Sequence, residues 1–186
     1  MEAWCWLEAN GLIMPEPGPN GPNGYKVLTR RAHQFANEEA FLGFVASQQL
    51  PKEIIHPTIR NDVWYAFIRA DYDTAVTKGM KAVEIAVRTA GNFAPETYGV
   101  DLMRQAFNVD HGPLRDPNLP RAEQEAASNL FAGTIGRYKN PQSHRHVGLD
   151  DPEEAVEIIL LASQLLRIVD KRKAADAAAA APIAAT

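Results

Sequence analysis

From Glu38 onward, apolar residues recur at three- and four-residue spacings, the period of helices buried along one face. Glu38 to Gln49 reads as a helix that ends before Pro51. Thr58 to Ala70 sets Ile59, Val63, Ala66 and Phe67 on one face, with Trp64 beside them. Asp71 caps the next helix, which carries Tyr72, Val76, Met80, Val83, Val87 and Ala90 at helical spacing and reaches Gly91. Val100 to Phe107 is a shorter helix, and the three prolines between His111 and Pro120 make a loop. Arg121 to Tyr138 resumes helix, with Ala127, Leu130, Phe131, Thr134 and Ile135 expected inward and Gly133 and Gly136 allowing close approach by another backbone. The clearest start signal opens the last helix: Asp151 as cap, Pro152 in the first turn, then Glu153 and Glu154 at the positive end of the dipole. Its stripe of Ala155, Ile158, Ile159, Ala162, Leu165, Leu166 and Val169 is core or a partner-helix seam.

Residues 1–37 follow a different pattern. Ala3 to Leu12 suits a helix, and Pro15 to Gly24 holds four prolines and three glycines, a hairpin-like loop. Tyr25 to Thr29 alternates as a short strand, and Thr29 to Phe35 begins another helix. This order resembles the back half of a winged helix without its front helices; the plainer reading is a structured arm. The expected organisation is an N-terminal remnant or arm at 1–37, an all-α domain at 38–172 and a disordered alanine-rich tail at 173–186.

Composition narrows the chemistry. With 46% hydrophobic and 23% charged residues, the 186-residue chain is an ordinary globular sequence with room for one principal domain. No apolar run approaches a bilayer-crossing length and no signal-peptide pattern opens the chain, so a cytoplasmic protein without membrane contact is expected. The lone Cys5 excludes an internal disulfide and a cysteine-based zinc site. Neither Gly-rich phosphate-loop pattern occurs. A net charge of −4 argues against a broadly basic surface, so any nucleic-acid contact must be local.

One window is local in that sense. Between Ala126 and Leu149 there is no Asp or Glu, while Arg137, Lys139, His144, Arg145 and His146 all fall there with Asn140 and Ser143. Cations with imidazoles beside them suit a phosphodiester whose protons must be moved. Asn140-Pro141 turns the chain where the helix ends. His144 and His146 lack a companion carboxylate, so no metal site is expected. Glu84 and Arg88 stand at i and i+4, either as a solvated pair or in support of the basic window.

Lys139-Asn140-Pro141-Gln142-Ser143-His144, with Arg137 just before it, resembles the arginine-then-histidine signature of HEPN-domain proteins. The flanking Asn129-Leu130-Phe131-Ala132-Gly133 and Asp151-Pro152-Glu153-Glu154-Ala155 resemble a bacterial HEPN-like family of uncharacterised and abortive-infection-type members with a C-terminal (R/K)NPxxH motif. The likeness runs from about Trp6 to Asp170. It implies a HEPN-like helical bundle and a metal-independent endoribonuclease without cofactor, acting as a toxin or antiphage effector. Its RNA substrate, a homodimeric arrangement with two motifs facing one cleft, and an antitoxin or defence-system partner are implied likewise. By the same resemblance Arg137, Lys139, Asn140 and His144 are catalytic, Ser143, Arg145 and His146 bind substrate, and Glu84 and Arg88 support them. The sequence departs from the commonest pattern in having Lys139 before Asn140, so either Arg137 supplies the arginine across a longer spacer or Lys139 replaces it. The alternative is a non-catalytic HEPN-type module that binds nucleic acid or a partner, and a third reading is a purely structural adaptor.

Overall fold

The computed structural model describes residues 2–139 and 148–180, with side chains described as far as Ala175. It is mainly α-helical and divides into two compact units, residues 1–45 and 46–186.

In the first unit, α1 (Glu2–Ala9) ends at Gly11, whose φ of +66° only glycine adopts cheaply. The Gly11 N–H donates to the Glu8 carbonyl and the Leu12 N–H to that of Leu7, a Schellman closure. The chain then forms an antiparallel ribbon of β1 (Ile13–Pro15) and β2 (Lys26–Leu28), pairing Ile13 with Leu28 and Pro15 with Lys26. The Pro/Gly-rich stretch forms the connection between these strands. Beyond β2, the helix expected from Thr29 is reduced to one 3-10 turn, Ala32–Gln34. Phe35 packs against Phe41 and Phe44, and Trp6 meets Phe41 edge-on. The unit boundary falls within α2 (Glu38–Gln49).

The second unit contains α3 (Arg60–Phe67), α4 (Tyr72–Ala90), α5 (Gly99–Ala106), α6 (Arg121–Thr134) and α7 (Pro152–Ala180). Asp71 caps α4 by accepting from the Thr74 N–H, and Asp151 accepts from the Glu153 N–H at the start of α7. The α4 face of Val76, Met80, Val83 and Val87 is buried, as are Ile59, Val63, Ala66 and Phe67 around α3. α4 packs most extensively on α7 and α3. Gly79 of α4 faces Ala162 of α7, where a built Cβ would lie 3.4 Å from the Ala162 Cβ, an ordinary van der Waals contact.

Several expectations need correction. The α7 stripe, from Ala155 to Val169, is buried in the core of its own chain, the first of its two expected readings, which leaves no part for it as a seam with a second copy. The helix itself runs into the 173–186 tail expected to be disordered, as far as Ala180, and 181–186 lie outside the described residues. Alanine has the highest helix propensity, and extending an existing helix avoids the cost of nucleation. Phe131, Thr134 and Ile135 are buried as expected, but Leu130 is 42% exposed and Ala132, not expected inward, is buried in its place. Phe131 stacks on Phe107 with ring centroids 4.0 Å apart. Of the two glycines expected to admit a neighbour, Gly136 does, with a built Cβ 3.2 Å from Val100 Cγ2, whereas among the described residues a Cβ on Gly133 would meet nothing within 4 Å. The regular helix ends at Thr134, and Ile135–Lys139 continues as a π-helical turn.

Candidate functional site

The π turn carries the first two cations of the acid-free window. Ile135 is its buried anchor, while Arg137 is exposed and Lys139 half-buried. Widening the turn changes the direction of the side chains that follow, and such turns occur often where a helix must place a functional group. Tyr138 packs against the hydrophobic core, and the Arg137 guanidinium lies 5.9 Å from its ring centroid.

Beneath this turn lies Glu84, with a side chain only 7% exposed. Three donors converge on its carboxylate. Arg88 Nη2 donates to Oε1 at 2.8 Å, and the buried Gly99 N–H donates to Oε2 at 2.8 Å. Lys139 Nζ stands 3.2 Å from the same Oε2. Burial alone pushes the Glu84 pKa up, but the Gly99 N–H, Lys139 and Arg88 outweigh it and hold the carboxyl below its ordinary value. Arg88 also donates through Nε to the Thr97 carbonyl at 2.9 Å. The Glu84–Arg88 pair is therefore a partly buried brace, not the solvated pair that helical spacing equally allowed. It ties the middle of α4 to the turn before α5 and to the π turn after α6.

The brace also fixes Tyr98. Gly99 has a φ of +65°, a left-handed conformation suited to glycine, while Tyr98 before it is extended. Tyr98 is 63% exposed, and Lys139 Nζ is 5.9 Å from its ring centroid. Asn140, Ser143, His144, Arg145 and His146 lie outside the described residues. On the far side of that segment, the Leu149 N–H donates to Asp73 Oδ1, fastening the approach to α7 onto the first turn of α4.

Sequence reasoning singled out Arg137, Lys139, Glu84 and Arg88, and the fold joins Lys139, Glu84 and Arg88 in one network. It did not reveal the roles of Gly99 and Tyr98, because their link to Glu84 is made across elements distant in sequence. His56 was also passed over as a structural residue. Its Nε2 lies 2.9 Å from Asp170 Oδ2, its backbone N–H donates to Ser163 Oγ, and Nδ1 accepts from the Thr58 N–H. That buried imidazole fastens the chain before α3 to α7. A separate cavity of about 310 Å³ lies among the α5–α6 loop, α6 and α7, with Leu114 and Ile168 in its wall and the Arg172–Asp116 ion pair at its edge. Among the described residues, no group of three or more His, Cys, Asp or Glu is placed to hold a metal ion, and no helix is long and apolar enough to cross a membrane.

Residues 53–169 match the model of the family described as "Protein of unknown function (Hypoth_ymh)". The chain belongs to that family. No curated protein and no solved structure matches it. The Hypoth_ymh segment takes in Glu84, Arg88, Tyr98, Arg137 and Lys139, as well as residues 140–147. It begins within the short 3-10 turn Lys52–Ile54 that precedes α3 and ends at Val169, the last residue of the buried α7 stripe.

Proposed function

We propose that this chain is a metal-independent endoribonuclease of HEPN type, acting as a toxin or antiphage effector. The observation that carries the reading is an exposed Arg137 on a π turn braced from below by Glu84, immediately before Lys139-Asn140-Pro141-Gln142-Ser143-His144. In the proposed reaction the RNA 2′-oxygen bonds to the adjacent phosphorus as the phosphorus–5′-oxygen bond breaks. A base takes the 2′-hydroxyl proton and an acid protonates the leaving 5′-oxygen, with His144 in one of these roles. Arg137 holds the phosphoryl oxygens, since its planar fork suits them and its charge faces solvent. Lys139 has much of its charge answered by Glu84, which favours Arg137 over Lys139 as the phosphate holder.

The mainly α unit at 46–186 supports assignment to a HEPN-like bundle, and the ribbon of the first unit is read as a winged-helix remnant. One histidine cannot serve readily as acid and base together, so the enzyme is proposed to work as a homodimer with two motifs in one cleft. With the α7 stripe buried, the proposed contact uses α6, where Leu130 is exposed and, among the described residues, nothing lies within 4 Å of a Cβ built on Gly133. The decisive experiment incubates purified protein with total RNA in EDTA beside His144→Ala and His146→Ala. The wild type is expected to cleave, His144→Ala to be inactive and His146→Ala to lose much less. Wild-type cleavage by His144→Ala removes the basis of the assignment.

The Lys139–Glu84 contact favours a second reading as well. A motif lysine committed to an internal carboxylate suits a module that binds nucleic acid or an antitoxin without cutting. That reading predicts RNA or partner binding with no cleavage, and no growth defect on expression.

A further inference from the structure

Tyr98 is among the more exposed large side chains, at 63%, yet its backbone is tightly held. On one side the Thr97 carbonyl accepts from Arg88, and on the other the Gly99 N–H donates to Glu84. The same Glu84 engages Lys139, whose ammonium lies 5.9 Å from the Tyr98 ring centroid. Solitary exposed aromatics are common on protein surfaces. This one is distinguished by being fixed through the brace that also holds Lys139. Tyr138, the other aromatic beside the cations of the π turn, packs into the core and leaves Tyr98 as the exposed one. A rigid aromatic face beside a cationic turn suits an unpaired nucleobase, because stacking needs an open π-face and the backbone phosphate needs a nearby positive charge. Bases within a duplex are already stacked on one another and offer no such face.

We infer that Tyr98 is a stacking platform for an unpaired base, so that the RNA is bound single-stranded with one base on Tyr98 and the adjoining phosphate at the turn that carries Arg137 and Lys139. This rests on the ribonuclease reading, and the test separates the two. Binding of a short fluorescein-labelled 2′-O-methyl RNA, which cannot be cleaved through its 2′ position, is followed by fluorescence anisotropy with the full chain. Tyr98→Ala should raise Kd by between about 5- and about 150-fold, the loss expected for one stacked base. Tyr98→Trp should bind as well as wild type or better, and Tyr98→Leu should resemble Tyr98→Ala because it keeps apolar bulk without a π-face. Circular dichroism should show all three variants folded. If the wild type neither binds nor cleaves RNA, the ribonuclease reading and the platform fall together. If it does so and Tyr98→Ala is equal to it, the platform alone falls. Duplex RNA binding as tightly as the single strand also overturns it. So does a Tyr98→Ala effect confined to self-association in light scattering, which would mark a protein contact instead.

Discussion

Glu84→Gln is the most informative single change, because it keeps the shape of the side chain while removing the charge that three donors share and replacing one accepting oxygen with an amide nitrogen that cannot accept. At 2.8 Å from Arg88, 2.8 Å from the Gly99 nitrogen and 3.2 Å from Lys139, the carboxylate sits within charge-assisted range of each. The cationic side chains are about one-fifth exposed, at 22% for Arg88 and 21% for Lys139, so water screens them in part. The loss therefore lies between that of a surface pair and the ~3–5 kcal/mol of a broken buried pair, and about 2 kcal/mol is expected. Glu84→Ala adds an orphaned buried N–H at Gly99, a further ~1–3 kcal/mol. At ~2–4 °C per kcal/mol for a chain of this size, Glu84→Gln should lower Tm by about 4–8 °C.

The pH dependence carries a sign that packing alone does not give. The folded pKa of Glu84 lies below its ordinary value of 4.5. Its charge therefore contributes stability that is fully present above the ordinary value and is lost as pH falls through the lower folded value. Urea unfolding followed by far-UV circular dichroism should show the wild type and Glu84→Gln furthest apart at neutral pH, converging in acid. A difference under about 0.5 kcal/mol at neutral pH, or one that stays constant into acid, refutes the brace.

Gly99→Ala forces a side chain onto a φ of +65° and should cost about 1–2 kcal/mol in the same urea assay. The exposure of Leu130 predicts that Leu130→Ala stays within about 0.5 kcal/mol of wild type, while Phe131→Ala, fully buried against Phe107, loses about 3–5 kcal/mol. Arg137→Ala should fold normally and cut RNA about 10²–10³-fold more slowly, measured on a labelled oligonucleotide. Lys139→Ala should show mainly a lowered Tm with substantial cleavage retained, and the reverse ranking would move the phosphate-holding role to Lys139.

Most of the helical order was legible because it depends on local signals that repeat. Asp71 and Asp151 announce their helices through side-chain chemistry that acts within a few residues, and the stripe from Ala155 to Val169 has no alternative to burial of one face. Legibility failed where two solutions shared one pattern. Ala127, Leu130, Phe131, Thr134 and Ile135 make an ideal stripe, but the helix buries Phe131 against Phe107 and Ala132 beside it, sets Gly136 close to Val100 of α5, and leaves Leu130 exposed. The stripe on α7 shows a related limit, since periodicity identifies an apolar face without saying whether the same chain or another covers it. The alanine-rich run failed differently. Composition suggested disorder over 173–186, while as far as Ala180, the last described residue, the chain extends the helix already formed by α7, as the propensity of alanine favours.

The candidate site was legible as a set of residue types and illegible as a network. An i, i+4 pair such as Glu84 and Arg88 reads the same in sequence whether it faces water or the interior. What separates the two cases is Gly99, whose left-handed backbone presents its N–H to the carboxylate, and Lys139, which arrives on a π turn that the apolar periodicity did not foretell. These contacts change the meaning of the basic window. Counted along the chain, Arg137 and Lys139 are interchangeable candidates for one role. In the fold, Lys139 is turned towards an internal carboxylate and Arg137 towards solvent, so the two positions are no longer equivalent. The same carboxylate steadies the turn that carries Tyr98, so removal of Glu84 should disturb both the aromatic face and the cationic turn. A variant that spares RNA binding while losing the Glu84-dependent stability would separate the brace from the proposed site.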